Sequence, residues 1–142
     1  MIRLTRRYRF SASHRLHSSA LSASENAATY GKCNNPHGHG HDYSLEVGVT
    51  GVPDPVAGQV VDVRALDRLV EAEVLSKLRH RDLNTEAAGL SGLVPTSENL
   101  AAAILKMLEA SWGRSFPDGR PALDRVRIHE TRRNLFEISK LP

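Results

Sequence analysis

The middle of the chain reads His39-Gly40-His41-Asp42-Tyr43-Ser44-Leu45-Glu46-Val47-Gly48-Val49-Thr50. From Tyr43 onward, apolar side chains alternate with polar or small ones, and the run stops at a Gly-Val-Pro break. Strict alternation over eight residues is typical of a half-buried β-strand. The strand begins directly after two histidines, so the sheet and the candidate chemistry start at the same point of the chain.

Segments on both sides of this strand alternate between strand-like and helix-like patterns. Two-residue periodicity predicts further strands, and 3.6-residue periodicity with capping residues predicts two helices. The predicted strands are 2–13, 43–50, 123–130 and 134–139, and the predicted helices are 63–79 and 96–113. Residues 16–36 lack either period and predict a long loop. We therefore expect a single α+β domain, 1–142, with element order ββααββ: a four-stranded antiparallel sheet carrying two helices on one face.

Composition excludes several classes of protein. The chain is 40% hydrophobic and 25% charged, which is an ordinary globular balance. The net charge is only +3, and most of the basic residues are interleaved with acidic ones along the sequence. Aromatic residues are only 5%, so a nucleic-acid partner is not expected. No stretch is apolar for the length of a membrane span, and a lone cysteine, Cys33, fits a reducing compartment. We expect a cytoplasmic protein whose exposed sheet edges pair with other subunits.

Three of the seven histidines lie in the segment Pro36-His37-Gly38-His39-Gly40-His41. Residues two apart in an extended segment point to the same side. His39 and His41, or His37 and His39, can therefore bind one metal ion together. His14 ends the strand that should pair with the central one, which brings it close. Three imidazoles leave a fourth zinc position open for chemistry.

Two other interpretations of the histidines stay open. The segment can be a flexible surface loop with adventitious metal affinity. Alternatively, Cys33 can be the fourth ligand of a closed, structural zinc site.

Several motifs resemble the zinc-dependent 6-pyruvoyl-tetrahydropterin synthase family. They occur in the family's order along nearly the whole chain: Phe10-Ser11-Ala12-Ser13-His14-Arg15-Leu16, Tyr30-Gly31-Lys32-Cys33-Asn34-Asn35-Pro36-His37-Gly38-His39-Gly40-His41-Asp42-Tyr43, His80-Arg81-Asp82-Leu83-Asn84, Pro95-Thr96-Ser97-Glu98-Asn99 and Ile128-His129-Glu130-Thr131. The resemblance implies the tunnelling fold, in which trimers close a barrel and two trimers stack into a hexamer with sites between subunits.

The resemblance also implies residue roles. The zinc ligands fall on His14, His39 and His41, the catalytic cysteine on Cys33 and the catalytic histidine on His80. The carboxylate that holds the pterin falls on Glu130, with groups near Thr96 and Ser97 at the other edge of the ring.

One position departs from the family pattern, which has an aspartate directly before the catalytic histidine. This chain has Arg79 there, and Asp82 is the nearest substitute acid. We expect Arg79 to face the triphosphate of the substrate, and Arg15 and Lys32 are further candidate anion contacts.

Two branches of the family act on 7,8-dihydroneopterin triphosphate. The spacing from Cys33 to the histidine pair is similar to that of the branch that eliminates triphosphate to give 6-pyruvoyl-tetrahydropterin, since the 6-carboxy-tetrahydropterin branch sets its cysteine two residues nearer. We therefore expect a carbon-oxygen lyase of the pyruvoyl type. The carboxy reaction of the queuosine route and a non-catalytic zinc and pterin-binding oligomer remain alternatives.

Overall fold

The computed structural model describes residues 1–140, so the last two residues of the predicted domain lie outside the described range. The strands are β1 (Ile2–His14), β2 (His39–Gly51), β3 (Ala122–His129) and β4 (Leu135–Ser139). The α-helices are α1 (Ala23–Tyr30), α2 (Val63–Val70), α3 (Ser76–Leu78) and α4 (Ser97–Ser115). A π-helical turn, Glu71–Leu75, joins α2 to α3.

The four strands form one antiparallel sheet in the order β1-β2-β3-β4. Each strand pairs with its neighbours in sequence, and the two helical segments between β2 and β3 cover one face. The predicted fold class and the predicted order of strands and main helices are therefore confirmed. β1 and β4 are the edge strands of this sheet.

The core lies between the helices and the face of β2 that carries the alternating apolar residues. Tyr43 is 1% exposed, and the valines and leucine that follow it on the same face are fully buried. Helix α4 packs on β3 and β4, while α3 reaches β1. The helix side of this core is formed by Leu66, Val70, Val74, Leu78, Leu100, Ile104 and Leu108.

The start of the first core helix follows the prediction. Asp62 accepts hydrogen bonds from the backbone N–H groups of Arg64 and Ala65, so its carboxylate caps the free donors of the first turn. The start of α4 is similar, because Thr96 Oγ1 accepts from the backbone N–H of Asn99.

The predicted loop 16–36 is wrong in one respect, because it contains helix α1. Ser22 and Glu25 form a capping box at its start, in which each side chain accepts from the backbone N–H of the other residue. The helix has only eight residues and a weak apolar stripe, so periodicity could not reveal it. The strand prediction for β2 also began too late, since pairing with β1 extends the strand back to His39.

Among the helices of residues 1–140, none combines the length and the apolar character that a membrane crossing requires.

Candidate metal centre and active site

The register of β1 against β2 brings three histidines together. His14, the last residue of β1, pairs with His39, and Ala12 pairs with His41. The three ring centroids are 4.8 Å (His14 to His39), 4.9 Å (His14 to His41) and 4.6 Å (His39 to His41) apart. The histidine cluster therefore lies in ordered strand rather than in a flexible surface loop.

Gly38 makes the close approach of the two strands possible. Its φ of +70° lies in the left-handed region, which L side chains rarely adopt. A Cβ at this position would lie 3.1 Å from the backbone oxygen of His14. A glycine is therefore required where the chain enters β2 beside the first histidine.

The imidazole of His14 is held in one orientation by its backbone surroundings. Its Nδ1 lies 2.9 Å from the carbonyl oxygen of Pro95, so Nδ1 carries the proton and donates to that oxygen. The other nitrogen, Nε2, is buried and has no hydrogen-bond partner. Burial, the largest influence, lowers the pKa of His14 and favours the neutral form that binds metals.

Two overlapping sets of donor atoms lie within 4.8 Å of one another and could hold a metal ion. One consists of His14, Cys33 and His39, and the other of His14, His41 and Glu130. The Nε2 atoms of His39 and His41 are 2.7 Å apart, so the two sets meet at one place. Imidazole, thiolate and carboxylate are the ligand types that zinc takes in proteins, so an ion at this place would be held by the donors of both sets.

Some of these donor atoms have no hydrogen-bond partner in the protein, which also favours a bound metal ion. His14 Nε2 and Glu130 Oε1 are buried and lack hydrogen-bond partners, which is costly for polar groups. Glu130 Oε1 lies 3.5 Å from His14 Nε2 and 3.3 Å from His41 Nε2. A cation among these atoms would satisfy ligands that the protein alone leaves without partners.

Cys33 approaches the histidines from the 3₁₀ turn Gly31–Asn34 that follows α1. The backbone holds this turn against the end of β1, since the N–H of Leu16 donates to the carbonyl of Cys33 over 2.8 Å. Burial, together with the nearby carboxylate of Glu130, raises the pKa of the Cys33 thiol. The thiol therefore needs a cationic neighbour to become a thiolate at neutral pH.

His80 lies in a different place, at the bend that follows α3. Its backbone N–H donates to the carbonyl of Ser11 over 2.7 Å. Two cavities of about 350 Å³ each are lined by Ser11, Asp42 and His80; His41 also lines one of them, whereas neither Cys33 nor Glu130 lines either. Within one chain, the structure therefore does not bring the two predicted catalytic residues together.

The predicted anion contacts are partly occupied by other groups. Arg79 lines one of the His80 cavities, but both ends of its guanidinium bond to Glu71, at 2.9 and 2.8 Å. The Nε of Arg15 donates to the backbone oxygen of Asn34 over 3.1 Å, and Lys32 is exposed. These arginines have structural partners, and their role toward a substrate stays a prediction.

The hydroxyl groups of Thr96 and Ser97 differ in whether they have a hydrogen-bond partner. Thr96 is the helix cap described above, so its hydroxyl is used. The hydroxyl of Ser97 is buried and has no partner, which is compatible with a ligand contact.

Sequence reasoning missed two residues that organise the site. The carbonyl of Pro95 orients His14, whereas the motif that contains Pro95 predicts a helix start and, through the family resemblance, a contact with the pterin ring. Asn26 is fully buried in α1, and its side chain bonds to four backbone groups of residues 18–22. Backbone acceptors have no sequence signal, but the Ser-Ala-Ser-Glu capping pattern before Asn26 was readable.

The fold and the site define a class: an α+β protein with a candidate metal centre of imidazoles at one end of a four-stranded antiparallel sheet. A sequence profile described as 6-pyruvoyl tetrahydropterin synthase matches residues 3–140. The chain belongs to the 6-pyruvoyl tetrahydropterin synthase family.

Individual relatives agree with this assignment. A 6-pyruvoyl tetrahydrobiopterin synthase of Poecilia reticulata is 42% identical over 132 residues, covering 93% of this chain and 86% of the relative. The protein of the same name from Homo sapiens is 39% identical over 132 residues, with 93% and 87% covered. The solved 6-pyruvoyl tetrahydropterin synthase of Caenorhabditis elegans superposes with a TM-score of 0.89 at 36% identity, covering 99% of this chain and 96% of the other.

Proposed function

We propose that this chain is a zinc-dependent lyase that converts 7,8-dihydroneopterin triphosphate to 6-pyruvoyl-tetrahydropterin with loss of triphosphate. The observation that supports it most is the meeting of three imidazoles, a thiol and a carboxylate at one end of the sheet. Membership of the family and near-full coverage of relatives named for this activity give the reaction type.

His14, His39 and His41 would hold the zinc ion, because their rings meet at one end of the sheet and the buried Nε2 of His14 has no other partner. When bound, zinc supplies a Lewis acid that lowers the pKa of hydroxyl groups on the substrate side chain. Pro95 keeps His14 in the tautomer whose Nε2 is free.

Cys33 would act as the general base, removing a carbon-bound proton from the substrate side chain at Sγ. Because burial raises the pKa of this thiol, its ionisation requires help. The imidazole of His80 would supply that help from a neighbouring subunit, since it lies away from Cys33 within one chain.

Glu130 would hold the pterin by accepting two hydrogen bonds from the amino group and a ring N–H. Its Oε1 is buried and without a partner, and the hydroxyl of Ser97 is in the same condition. Arg79 and Arg15 are the proposed contacts of the triphosphate, which requires Arg79 to exchange Glu71 for the substrate.

A homohexamer of two stacked trimers would complete the site. β1 and β4 are edge strands and can extend the sheet into neighbouring subunits. The single cysteine is consistent with a cytoplasmic location.

The decisive experiment incubates the purified protein with zinc and 7,8-dihydroneopterin triphosphate and follows the products by mass. We expect 6-pyruvoyl-tetrahydropterin together with free triphosphate. A product of 6-carboxy-tetrahydropterin would assign the other branch, and unchanged substrate bound to the protein would identify a non-catalytic pterin binder.

The ligand assignment is tested by metal analysis of variants. We expect about one zinc per chain in the wild type and a severe loss in His14→Gln. The matched control is His37→Gln, because His37 is an exposed histidine of the same segment that belongs to neither donor set. Undiminished zinc in His14→Gln would remove this ligand from the proposal.

A further inference from the structure

We infer that Asp42 positions the imidazole of His80, serving as the acid that orients this histidine for its role beside Cys33. The inference rests on the proposed function, in which His80 supports the thiolate of Cys33. It makes Asp42 a positioning residue, because it acts through the imidazole and does not touch the substrate.

The backbone of His80 shows that its position is imposed by its surroundings. Its φ is +58°, and among residues 1–140 no other residue except glycine has a positive φ. Such a conformation persists only where neighbouring contacts fix it, and it concentrates at functional positions. The contact that fixes it here is the hydrogen bond from its N–H to the carbonyl of Ser11.

Ser11 also fixes Asp42. The two residues are paired across β1 and β2, and the hydroxyl of Ser11 donates to Oδ1 of Asp42. One residue of β1 therefore holds both the backbone of His80 and the carboxylate of Asp42. Asp42 and His80 line the same two cavities, so the carboxylate and the imidazole face a common space, and no other group of the described residues bonds to the carboxylate oxygen that Ser11 leaves free.

Other acids near His80 in the chain are already occupied. Both oxygens of Glu71 bond to Arg79, and those of Asp82 accept from the N–H of Asn84 and the hydroxyl of Thr85. The nearby Glu86 accepts from the N–H of Asp82 and pairs with Arg81.

Asp42 differs from these acids in having a free oxygen. Within residues 1–140, its Oδ2 makes no hydrogen bond or ion pair, while Ser11 holds the other oxygen in place. A catalytic imidazole requires an acceptor that fixes its tautomer and stabilises its protonated form. The residue directly before His80 is the cation Arg79, which cannot accept a hydrogen bond. Asp42 is therefore the carboxylate available for this role.

The first test measures turnover of 7,8-dihydroneopterin triphosphate. For Asp42→Asn we expect kcat about 10- to 100-fold lower with KM nearly unchanged, because the loss concerns a proton-transfer group rather than substrate binding. Asp42→Glu should recover part of the rate. Arg79→Asp in the Asp42→Asn background should also recover part, because position 79 lines one of the same cavities.

The matched control is Asp118→Asn, an exposed acid at another cavity of the molecule. We expect wild-type kcat in this variant. Wild-type kcat in Asp42→Asn would overturn the inference. A loss accompanied by lower folding stability and shared equally by Asp42→Glu would also overturn it, since it would make Asp42 a purely structural residue.

The second test does not depend on turnover, so it separates this inference from the proposed function. The ring nitrogens of His80 are observed by NMR after selective ¹⁵N-histidine labelling and are assigned with His80→Gln. We expect Asp42→Asn to change their chemical shifts and Asp118→Asn to leave them in place. Unchanged His80 shifts in Asp42→Asn would reject the contact even in an active enzyme, whereas a changed shift in a protein without turnover would support the contact and reject only the lyase assignment.

Discussion

Glu130 is the residue with two competing roles at the site. Its Oε1 lies as close to two imidazoles as a shared metal ligand would, yet the family resemblance gives it to the pterin. A carboxylate used for the pterin can be replaced without loss of zinc, whereas a ligand cannot.

For Glu130→Gln we therefore predict unchanged zinc content and a KM for 7,8-dihydroneopterin triphosphate raised about tenfold or more, as one charge-assisted contact is lost. Zinc analysis and steady-state kinetics measure both quantities. Zinc-poor Glu130→Gln protein would instead make Glu130 a metal ligand. Asp118→Asn is again the control, because it removes a carboxylate far from the histidines in sequence and outside both donor sets.

Helix α1 is the element that carries the cysteine to the histidines. Asn26 joins it to the preceding segment: its Oδ1 accepts from the N–H of Ser18, and its Nδ2 donates to the carbonyls of Ser18, Leu21 and Ser22. A fully buried amide with this many partners fixes one path of the loop.

We predict that Asn26→Ala lowers the free energy of unfolding by about 1–3 kcal/mol, because buried backbone groups lose their partners. Turnover should fall as well, since the turn with Cys33 follows α1 directly. Urea denaturation and kinetics check the two effects. Ser19→Ala, an exposed substitution in the same segment, should be neutral; an equally neutral Asn26→Ala would show that the loop is organised in another way.

The contact of α2 with β1 gives a pH-dependent stability. Asp67 on α2 accepts from the guanidinium of Arg6 at 3.0 and 2.8 Å and from the hydroxyl of Tyr8 at 2.8 Å. The hydrogen bond from Arg6, the largest cause, holds the pKa of Asp67 below its ordinary value of 3.8. A depressed carboxyl pKa stabilises the fold above the pKa of the unfolded chain, and this stability is lost as the pH falls through the lower pKa of the folded state.

We therefore predict that the wild type has a higher urea midpoint than Asp67→Asn near neutral pH, that the difference begins to shrink as the pH falls below about 4, and that it disappears only once the pH has passed the lower pKa of Asp67 in the folded state. Midpoints measured from pH 7 down to acid conditions give this difference directly. A constant difference across the whole range would assign the effect of Asp67→Asn to packing rather than to charge.

At the scale of the whole molecule, the two halves of the proposed site lie apart in one chain. Cys33 does not line either of the cavities that His80 lines. It lies instead beside His14 and His39. The proposed assembly would bring Cys33 of one subunit beside His80 of another.

We predict that inactive Cys33→Ala protein and inactive His80→Ala protein recover part of the wild-type activity after subunit exchange, because mixed interfaces contain one intact site. Activity of the mixture is measured alongside exchange, which is verified by mass spectrometry of the assemblies. A mixture of Cys33→Ala with the double variant Cys33→Ala, His80→Ala should stay inactive. Verified exchange without recovery would place the whole site within one chain.

The amino-acid sequence by itself determined the sheet, the two main helices and their caps, because two-residue and 3.6-residue periods are local properties of the chain. It also predicted that His14 would lie near His39, since adjacent antiparallel strands leave few registers. The family motifs could be recognised because each one is a continuous stretch of sequence.

Only the tertiary structure decided the contacts between distant segments. The carbonyl of Pro95, 81 residues along the chain, orients the ring of His14. Glu71 accepts a hydrogen bond from the guanidinium of Arg79, which the sequence predicted to contact the triphosphate. The shared cavities of Asp42 and His80 also appear only in three dimensions. Hydrogen bonds between segments depend on how the packed core places their backbones, and no local pattern of residues encodes that placement.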